Sequence, residues 1–476
     1  MKGRTTRRQF IKTTALGAGF LTCYGNLLYG QAERQRRQRN SLPFSPNNPA
    51  VVHNMDNCRN CGRCRDLCRN VSVFEQFVPA DREYCINCGQ CSIYCPNVIT
   101  ERFSYPDVAK AIADPNKIVV ATTAPAIRVA VGEMYGLEPG TNVESKLVGA
   151  LNQLGVDYVL DATFAADLTI MEEASELLER LGSKKHAKHM PMFTSCCPGW
   201  VRYVKLYYPE LIPNLSTAKS PMMMQGALVK TYFAEKNNID PEKIVHVALM
   251  PCTAKKGEIL LPGMNSAGVS HRKPAMRDVD HAITSREIAY LLNEGNVNFL
   301  QAPNAQYSSL MGRGSGAGVI FGNTGGVMEA ALRTAYKVIN GQNPPADFLS
   351  FAPVRGFDSV KQATVDLGKA KLNIAVVSGI VNMKSFIETL KSDPSKFDFV
   401  EVMACAGGCI GGGGQPVTAM DAAELKKLRQ SALYQQDAGQ ELRLSCDNPE
   451  IKTIYNEFLK KPLGKKSEEF LHVRHT

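Results

Sequence analysis

Eight cysteines between positions 58 and 95 follow one spacing, used twice. Cys58, Cys61, Cys64 and Cys68 read C-x2-C-x2-C-x3-C. Cys85, Cys88, Cys91 and Cys95 repeat it, and Pro96 follows. No other feature of the chain restricts its folding as severely. Three thiolates this close wrap three corners of an iron–sulfur cubane, and the fourth ligand comes from elsewhere. In two-cluster ferredoxins the fourth cysteine of each run serves the other cluster. The spacing therefore assigns Cys58, Cys61, Cys64 and Cys95 to one 4Fe–4S cluster, and Cys85, Cys88, Cys91 and Cys68 to a second. Structural zinc uses two cysteine pairs with no third cysteine two residues on. Arg69 stands where proline often closes the first run, a change that touches no ligand.

The net charge of +10 suggests nucleic acid, but most of it is local. Lys2, Arg4, Arg7, Arg8 and Lys12 meet no acid before Glu33, and Arg34, Arg36, Arg37 and Arg39 follow. The rest of the chain is nearly neutral, so these runs read as a solvated tail. Thr6-Arg7-Arg8-Gln9-Phe10-Ile11-Lys12 before the weakly apolar stretch Ala15 to Leu28 has the pattern of a twin-arginine export signal. Cleavage is expected after Ala32, and Cys23 has a poor context for lipidation. Fifteen cysteines in an exported protein could mean disulfides. The twin-arginine route argues otherwise, because it moves proteins folded around cofactors loaded in the cytoplasm. No apolar stretch long enough to span a membrane occurs beyond the N-terminus.

From about Lys117 short apolar runs alternate with helical patterns, as in an α/β fold with a parallel sheet. Expected strands are Ile118–Thr122, Tyr158–Ala162, Pro191–Phe193, Val245–Met250, Val319–Phe321, Ile374–Val377 and Phe399–Met403. Three of them run into cysteine-bearing loops: Phe193 into Cys196-Cys197, Met250 into Cys252, and Met403 into Cys405 and Cys409. Ligands gather beyond the carboxyl ends of parallel strands, so the three loops can converge on one site. Four thiolates suit another cubane and a fifth is left over. Gly407, Gly408 and Gly411 to Gly414 let backbone approach closely and aim N–H groups at sulfides. A phosphate loop is excluded because no Gly-Lys-Ser/Thr follows. Asp167 to Leu181 reads as a helix with Leu168, Met171, Leu178 and Leu181 on one stripe. Glu173 and Glu176 share a face three residues apart, a pattern ordinarily solvated. Leu425 to Tyr434 and Ile451 to Leu459 read as short helices of a tail too polar to fold alone. His53, His186 and His189 read as surface residues.

The runs Thr194-Ser195-Cys196-Cys197-Pro198-Gly199-Trp200, Met250-Pro251-Cys252-Thr253-Ala254-Lys255-Lys256-Gly257-Glu258 and Glu401-Val402-Met403-Ala404-Cys405-Ala406-Gly407-Gly408-Cys409 together resemble the FeFe hydrogenases, over roughly residues 50–476. The resemblance implies that Cys197, Cys252, Cys405 and Cys409 hold the cubane of an H-cluster. It also implies that Cys409 would bridge to a diiron unit carrying CO, CN and azadithiolate, that Lys255 would donate to a cyanide, and that Met250, Met403, Phe321, Pro125, Ala126 and Pro251 would wall the pocket. By the same resemblance Cys196, Glu173, Ser216 and Glu176 form a proton path. Met222 and Met223 follow Ser220-Pro221 where some members carry glutamine, and Cys446 stands where relatives usually have histidine; a free thiol is expected there.

The implied organisation is a signal peptide (1–32), a basic linker (33–50), a ferredoxin-like two-cluster domain (51–105), an H-cluster domain with parallel twisted sheets flanked by helices (106–420), and a segment resembling a small subunit (421–476). The implied activity is reversible H2 oxidation and proton reduction in the periplasm. Electrons would pass through the two 4Fe–4S clusters to a cytochrome or ferredoxin-like carrier. Maturation and twin-arginine export machinery are the other expected partners. A cluster-only protein without the diiron unit is the first rival, opposed by Cys196, Lys255 and Glu173. A hydrogen sensor is the second, opposed by the intact relay and the lack of a signalling domain. A plain electron carrier leaves the α/β region unexplained.

Overall fold

The computed structural model describes residues 42–73, 83–183 and 189–475. The twin-arginine stretch, the expected cleavage site, Cys23, residues 33–41 of the basic linker and His186 lie outside the described residues. In chain order the strands are β1 (Val51–His53), β2 (Ile99–Glu101), β3 (Ile118–Thr123), β4 (Tyr158–Asp161), β5 (Met192–Phe193), β6 (Ile244–Met250), β7 (His281–Thr284), β8 (Val360–Asp366), β9 (Lys371–Ser378) and β10 (Phe399–Met403). Two four-stranded sheets dominate. One runs β4-β3-β6-β7 with every neighbour parallel. The other runs β5-β10-β9-β8, parallel except for the β8–β9 pair. Such strands are covered on both faces and are built from nearly continuous apolar runs, as in β3 and β6. The polar exception His246 sits fully buried in β6, its ring 2.8 Å from the Thr122 hydroxyl. Burial and the nearby Lys230 charge hold its pKa down at about 3, so it is a neutral packing residue.

The expected strand Val319–Phe321 is helical. Ser315 caps the turn Gly316–Val319 by accepting from the Gly318 N–H, and Ile320–Gly322 continues as a 3-10 turn. A three-residue apolar run cannot separate a strand from a buried helical turn. Strands β7 and β8 escaped the pattern: β7 has four residues, and β8 is a half-exposed edge strand. His53 and His189 are half-buried rather than on the surface. The His53 ring packs edge-on against Phe44 at 5.7 Å, and burial lowers its pKa.

The helices that frame the site are α1 (Arg63–Val71), α2 (Gln90–Tyr94), α3 (Ala162–Gly182), α4 (Pro198–Tyr207), α5 (Gly326–Asn340) and α6 (Ala422–Ala438). Asp161, the last residue of β4, caps α3 by accepting from the Thr163 N–H at 3.0 Å. Helix α3 lies between the two sheets. Phe164 and Leu168 join a core with Val120 of β3 and Leu160 of β4, while Ile170 and Leu177 join one with Ile374 of β9 and Phe399 of β10. Of the expected stripe only Leu168 is fully buried, Met171 and Leu178 being half-buried. Leu181 is 39% exposed, whereas Glu172, Glu173 and Glu176 are buried.

The segment after residue 420 is stitched to the rest by buried polar contacts. Asp437 of α6 receives Arg333 of α5 at 2.9 and 2.7 Å, and Arg429 donates to Glu133 at 2.7 Å. Ser445 and Asn448 donate to Asp167, and the Tyr455 hydroxyl donates to Glu172 at 2.5 Å. Removing one partner from such a pair strands a buried charge, so the segment and the body depend on one another. The expected helix Ile451–Leu459 is split, Pro449–Ile454 continuing into a π turn over Tyr455–Leu459.

Candidate active site

The three cysteine loops meet. Cys196 and Cys197 follow β5, Cys252 follows β6, and Cys405 and Cys409 follow β10, so the two sheets deliver their carboxyl ends to one place. There the chain encloses a cavity of about 90 Å³. Cys196, Cys197, Cys252, Cys405 and Cys409 all line it, and Met250, Met403, Phe321, Pro125, Ala126, Pro251 and Met222 supply apolar wall. Met223 points instead into the neighbouring core. Ala162 and Ala166 bring the first turns of α3 to the wall, and Cys197 opens α4.

Lys255 brings the ammonium that borders the cavity. Its Nζ donates to Glu258 at 2.8 Å and to the Cys196 carbonyl at 3.2 Å. An ammonium has three donors, so one stays available. Burial works against its charge, but Glu258 above all outweighs burial and holds its pKa above the ordinary value.

The donor set suits an iron–sulfur group. All fourteen described cysteines are free thiols, and soft thiolates are the ligands that select such clusters. Among the described residues no three His, Cys, Asp or Glu side chains gather tightly enough for a single metal ion. Burial, then the charges of Cys252 and Cys197, push Cys409 up to about 12. A group bound through several of these sulfurs as thiolates would have to bring positive charge with it. Gly408 has φ +91°, and a Cβ there would lie 2.6 Å from the Thr324 nitrogen; one on Gly412 would lie 2.2 Å from the Pro251 oxygen. Only glycine lets the Cys405–Cys409 loop pass that close.

The ferredoxin-like cysteines also group. Cys95 feels the charges of Cys64, Cys61 and Cys58, and Cys91 feels those of Cys88, Cys85 and Cys68 most strongly. This block packs directly on the cavity loops. Thr253 donates to the Asn87 carbonyl at 2.8 Å, and a Cβ on Gly413 would lie 2.0 Å from the Cys88 oxygen.

Behind Cys196 runs a line of buried acids. After burial itself, the Glu173 charge is what most raises the Cys196 thiol. Neither Glu173 oxygen completes a hydrogen bond, although the Ser195 amide and Ser216 hydroxyl lie close enough to offset part of the burial. Burial first, and the Glu176 charge second, lift Glu173 to about 8. The Ser216 hydroxyl donates to Glu176 at 2.7 Å, and Arg180 donates to the other Glu176 oxygen at 2.6 Å. Arg180 was not anticipated, though its i,i+4 spacing from Glu176 is the ordinary signature of such a pair. Glu258 carried the same kind of signal, three residues beyond Lys255. Glu401 carried none: it is buried in β10 and takes the Gly325 and Met328 amides at the start of α5. Cys446 is half-buried and away from the cavity.

Two parallel-sheet ends closing on an apolar, thiolate-lined cavity, with cluster-type cysteines packed alongside, define an iron–sulfur oxidoreductase. Residues 117–413 match the family "Iron only hydrogenase large subunit, C-terminal domain", and residues 423–476 match "Iron hydrogenase small subunit". The chain is 42% identical over 449 residues to the NADP-reducing hydrogenase subunit HndD of Solidesulfovibrio fructosivorans, covering 90% of this chain and 74% of that one. It is 44% identical over 366 residues to the periplasmic Fe hydrogenase large subunit of Nitratidesulfovibrio vulgaris, covering 76% and 85%. The solved structure of apo FeFe-hydrogenase HydA1 from Chlamydomonas reinhardtii aligns with a TM-score of 0.68 at 41% identity, over 78% of this chain and 98% of that chain. The chain belongs to the iron-only (FeFe) hydrogenase family.

Proposed function

We propose that the protein interconverts H2 with protons and electrons at an H-cluster held by Cys197, Cys252, Cys405 and Cys409. The observation that carries this reading is the convergence of five buried or half-buried cysteines on an apolar cavity, with a protonatable, unbonded Glu173 directly behind the fifth. When bound, the cubane and diiron unit supply the H2-splitting chemistry; the chain supplies ligation, electrostatics and a dry enclosure.

Cys196 holds a proton at its Sγ, because burial disfavours its thiolate. Glu173 exchanges that proton at a pKa near working pH, as acid–base relays require. Ser216, already donating to Glu176, hands it on, and Glu176 with Arg180 ends the buried line. Lys255 would have its remaining N–H free for a cyanide ligand of the bound group. Met250, Met403, Phe321, Pro125, Ala126 and Pro251 keep water from the reacting side. Cys58, Cys61, Cys64 and Cys95 would hold one 4Fe–4S cluster and Cys85, Cys88, Cys91 and Cys68 a second, which would supply electron transfer to an external redox protein. The twin-arginine pattern, and kinship to a hydrogenase named as periplasmic, support export to the periplasm with residues 421–476 fused as a small-subunit-like segment.

The test is viologen-linked hydrogen evolution and uptake on protein matured with the diiron-assembly enzymes, with infrared bands of bound carbonyl and cyanide recorded on the same sample. Turnover with bands is the expected result. Intact cubanes with neither bands nor turnover would establish the cluster-only rival instead.

A further inference from the structure

We propose that Lys426 and Gln90 set the reduction potential of the cubane from its outer side, holding it higher than the four thiolates alone would. This rests on the reading that Cys197, Cys252, Cys405 and Cys409 hold a cubane.

Cys405 differs from the other three. It borders the apolar cavity and also a second, larger and more mixed cavity of about 560 Å³, which none of the other three reaches. Gln90 and Lys426 both line that second space. Gln90 comes from α2 of the ferredoxin-like block, between Cys88 and Cys91. Its Nε2 donates to Cys405 Sγ at 3.4 Å and to the Gly411 carbonyl at 2.8 Å. A primary amide has two hydrogens, so one nitrogen serves both acceptors. Lys426 comes from α6. Its methylenes lie over the loop, with Cδ 3.1 Å from where a Gly407 Cβ would stand and 3.2 Å from that of Gly411. The negative groups facing its ammonium are the Cys405 thiolate and Asp421.

Reduction of a cubane adds negative charge to iron, sulfide and thiolate together. An N–H dipole and a half-buried cation beside one ligand favour the reduced form, because hydrogen bonds and local charge tune such clusters. Gln90 itself stands between Cys88 and Cys91, two ligands read for the second ferredoxin-like cluster, and the Cys88 carbonyl lies against Gly413 in the glycine run after Cys409. Electrons from the second ferredoxin-like cluster therefore arrive where the reduced state is favoured.

The experiment is a redox titration, followed by electron paramagnetic resonance, of the full chain carrying its three cubanes and no diiron unit. The relevant wave is the one that Cys405→Ala abolishes. Lys426→Met and Gln90→Met each lower its reduction equilibrium constant about tenfold, a shift of about 59 mV to more negative potential for a one-electron couple. Lys426→Arg leaves it near the parent value, and the other two waves stay in place for Lys426→Met. A wave that does not move in Lys426→Met and Gln90→Met, at unchanged iron content, overturns the proposal. A parent protein with no wave that depends on Cys405 overturns the cubane reading itself, and the proposal with it.

Discussion

Replacing Glu173 with glutamine keeps the size and shape of a side chain buried in α3 and removes its proton. Burial and the Glu176 charge move this carboxyl from 4.5 to about 8. At 1.36 kcal/mol per pKa unit, ionising it in place costs on the order of 5 kcal/mol. The carboxyl is therefore mostly protonated at neutral pH and able to donate. Its folded pKa lies above its unfolded one, so the folded state keeps a proton that the unfolded chain releases. The stability contribution is full below the unfolded value of 4.5 and is lost as pH rises through about 8. Glu173→Gln should abolish that loss, a difference readable as denaturant midpoints followed by the single tryptophan, Trp200, buried beside the site. Turnover should fall by about 10²–10⁴, the usual worth of one positioned acid–base group. Infrared difference spectra of the parent should show a protonated carboxyl band at pH 7 that is absent from the variant. Parent and variant turning over within about tenfold of each other, or a parent without that band, would refute the reasoning.

Cys196→Ala should remove nearly all turnover while iron content and the carbonyl and cyanide bands persist, because it deletes the proton carrier and no proposed ligand. Gly408→Ala should cost the protein the iron of one cubane and leave the other two, as measured by iron analysis: the new Cβ meets the Thr324 nitrogen at a backbone φ of +91°. Asp437→Ala leaves Arg443 without its carboxylate and Arg333 with Glu329 alone. It should destabilise the fold by about 3–5 kcal/mol and expose residues 421–476 to limited proteolysis.

Much of the site was legible because its signals are local. A thiolate that binds iron must be a cysteine, and a loop that wraps a cubane must space its cysteines closely, so Cys58 to Cys95 declare themselves without neighbours. The same holds for apolar runs covered on both faces, as in β3, β6 and β10, and for the glycines after Cys405, where no side chain fits. The sequence also showed that three cysteine loops follow three strands, and hence that they could meet. What it could not decide was anything that depends on which surfaces face each other. Glu172, Glu173 and Glu176 look like the wet side of an amphipathic helix. They are buried because two sheets and the tail close on α3 from every side. Arg180 turns inward to a carboxylate, and the Lys426 methylenes lie over the loop at Gly407 and Gly411 from fifteen or more residues downstream. Val319–Phe321 became a helical turn because the Ser315 hydroxyl caps it. Burial and charge pairing come from the whole packed assembly, so the pKa values and contacts that would make these cysteines and glutamates a working site exist only in the folded chain.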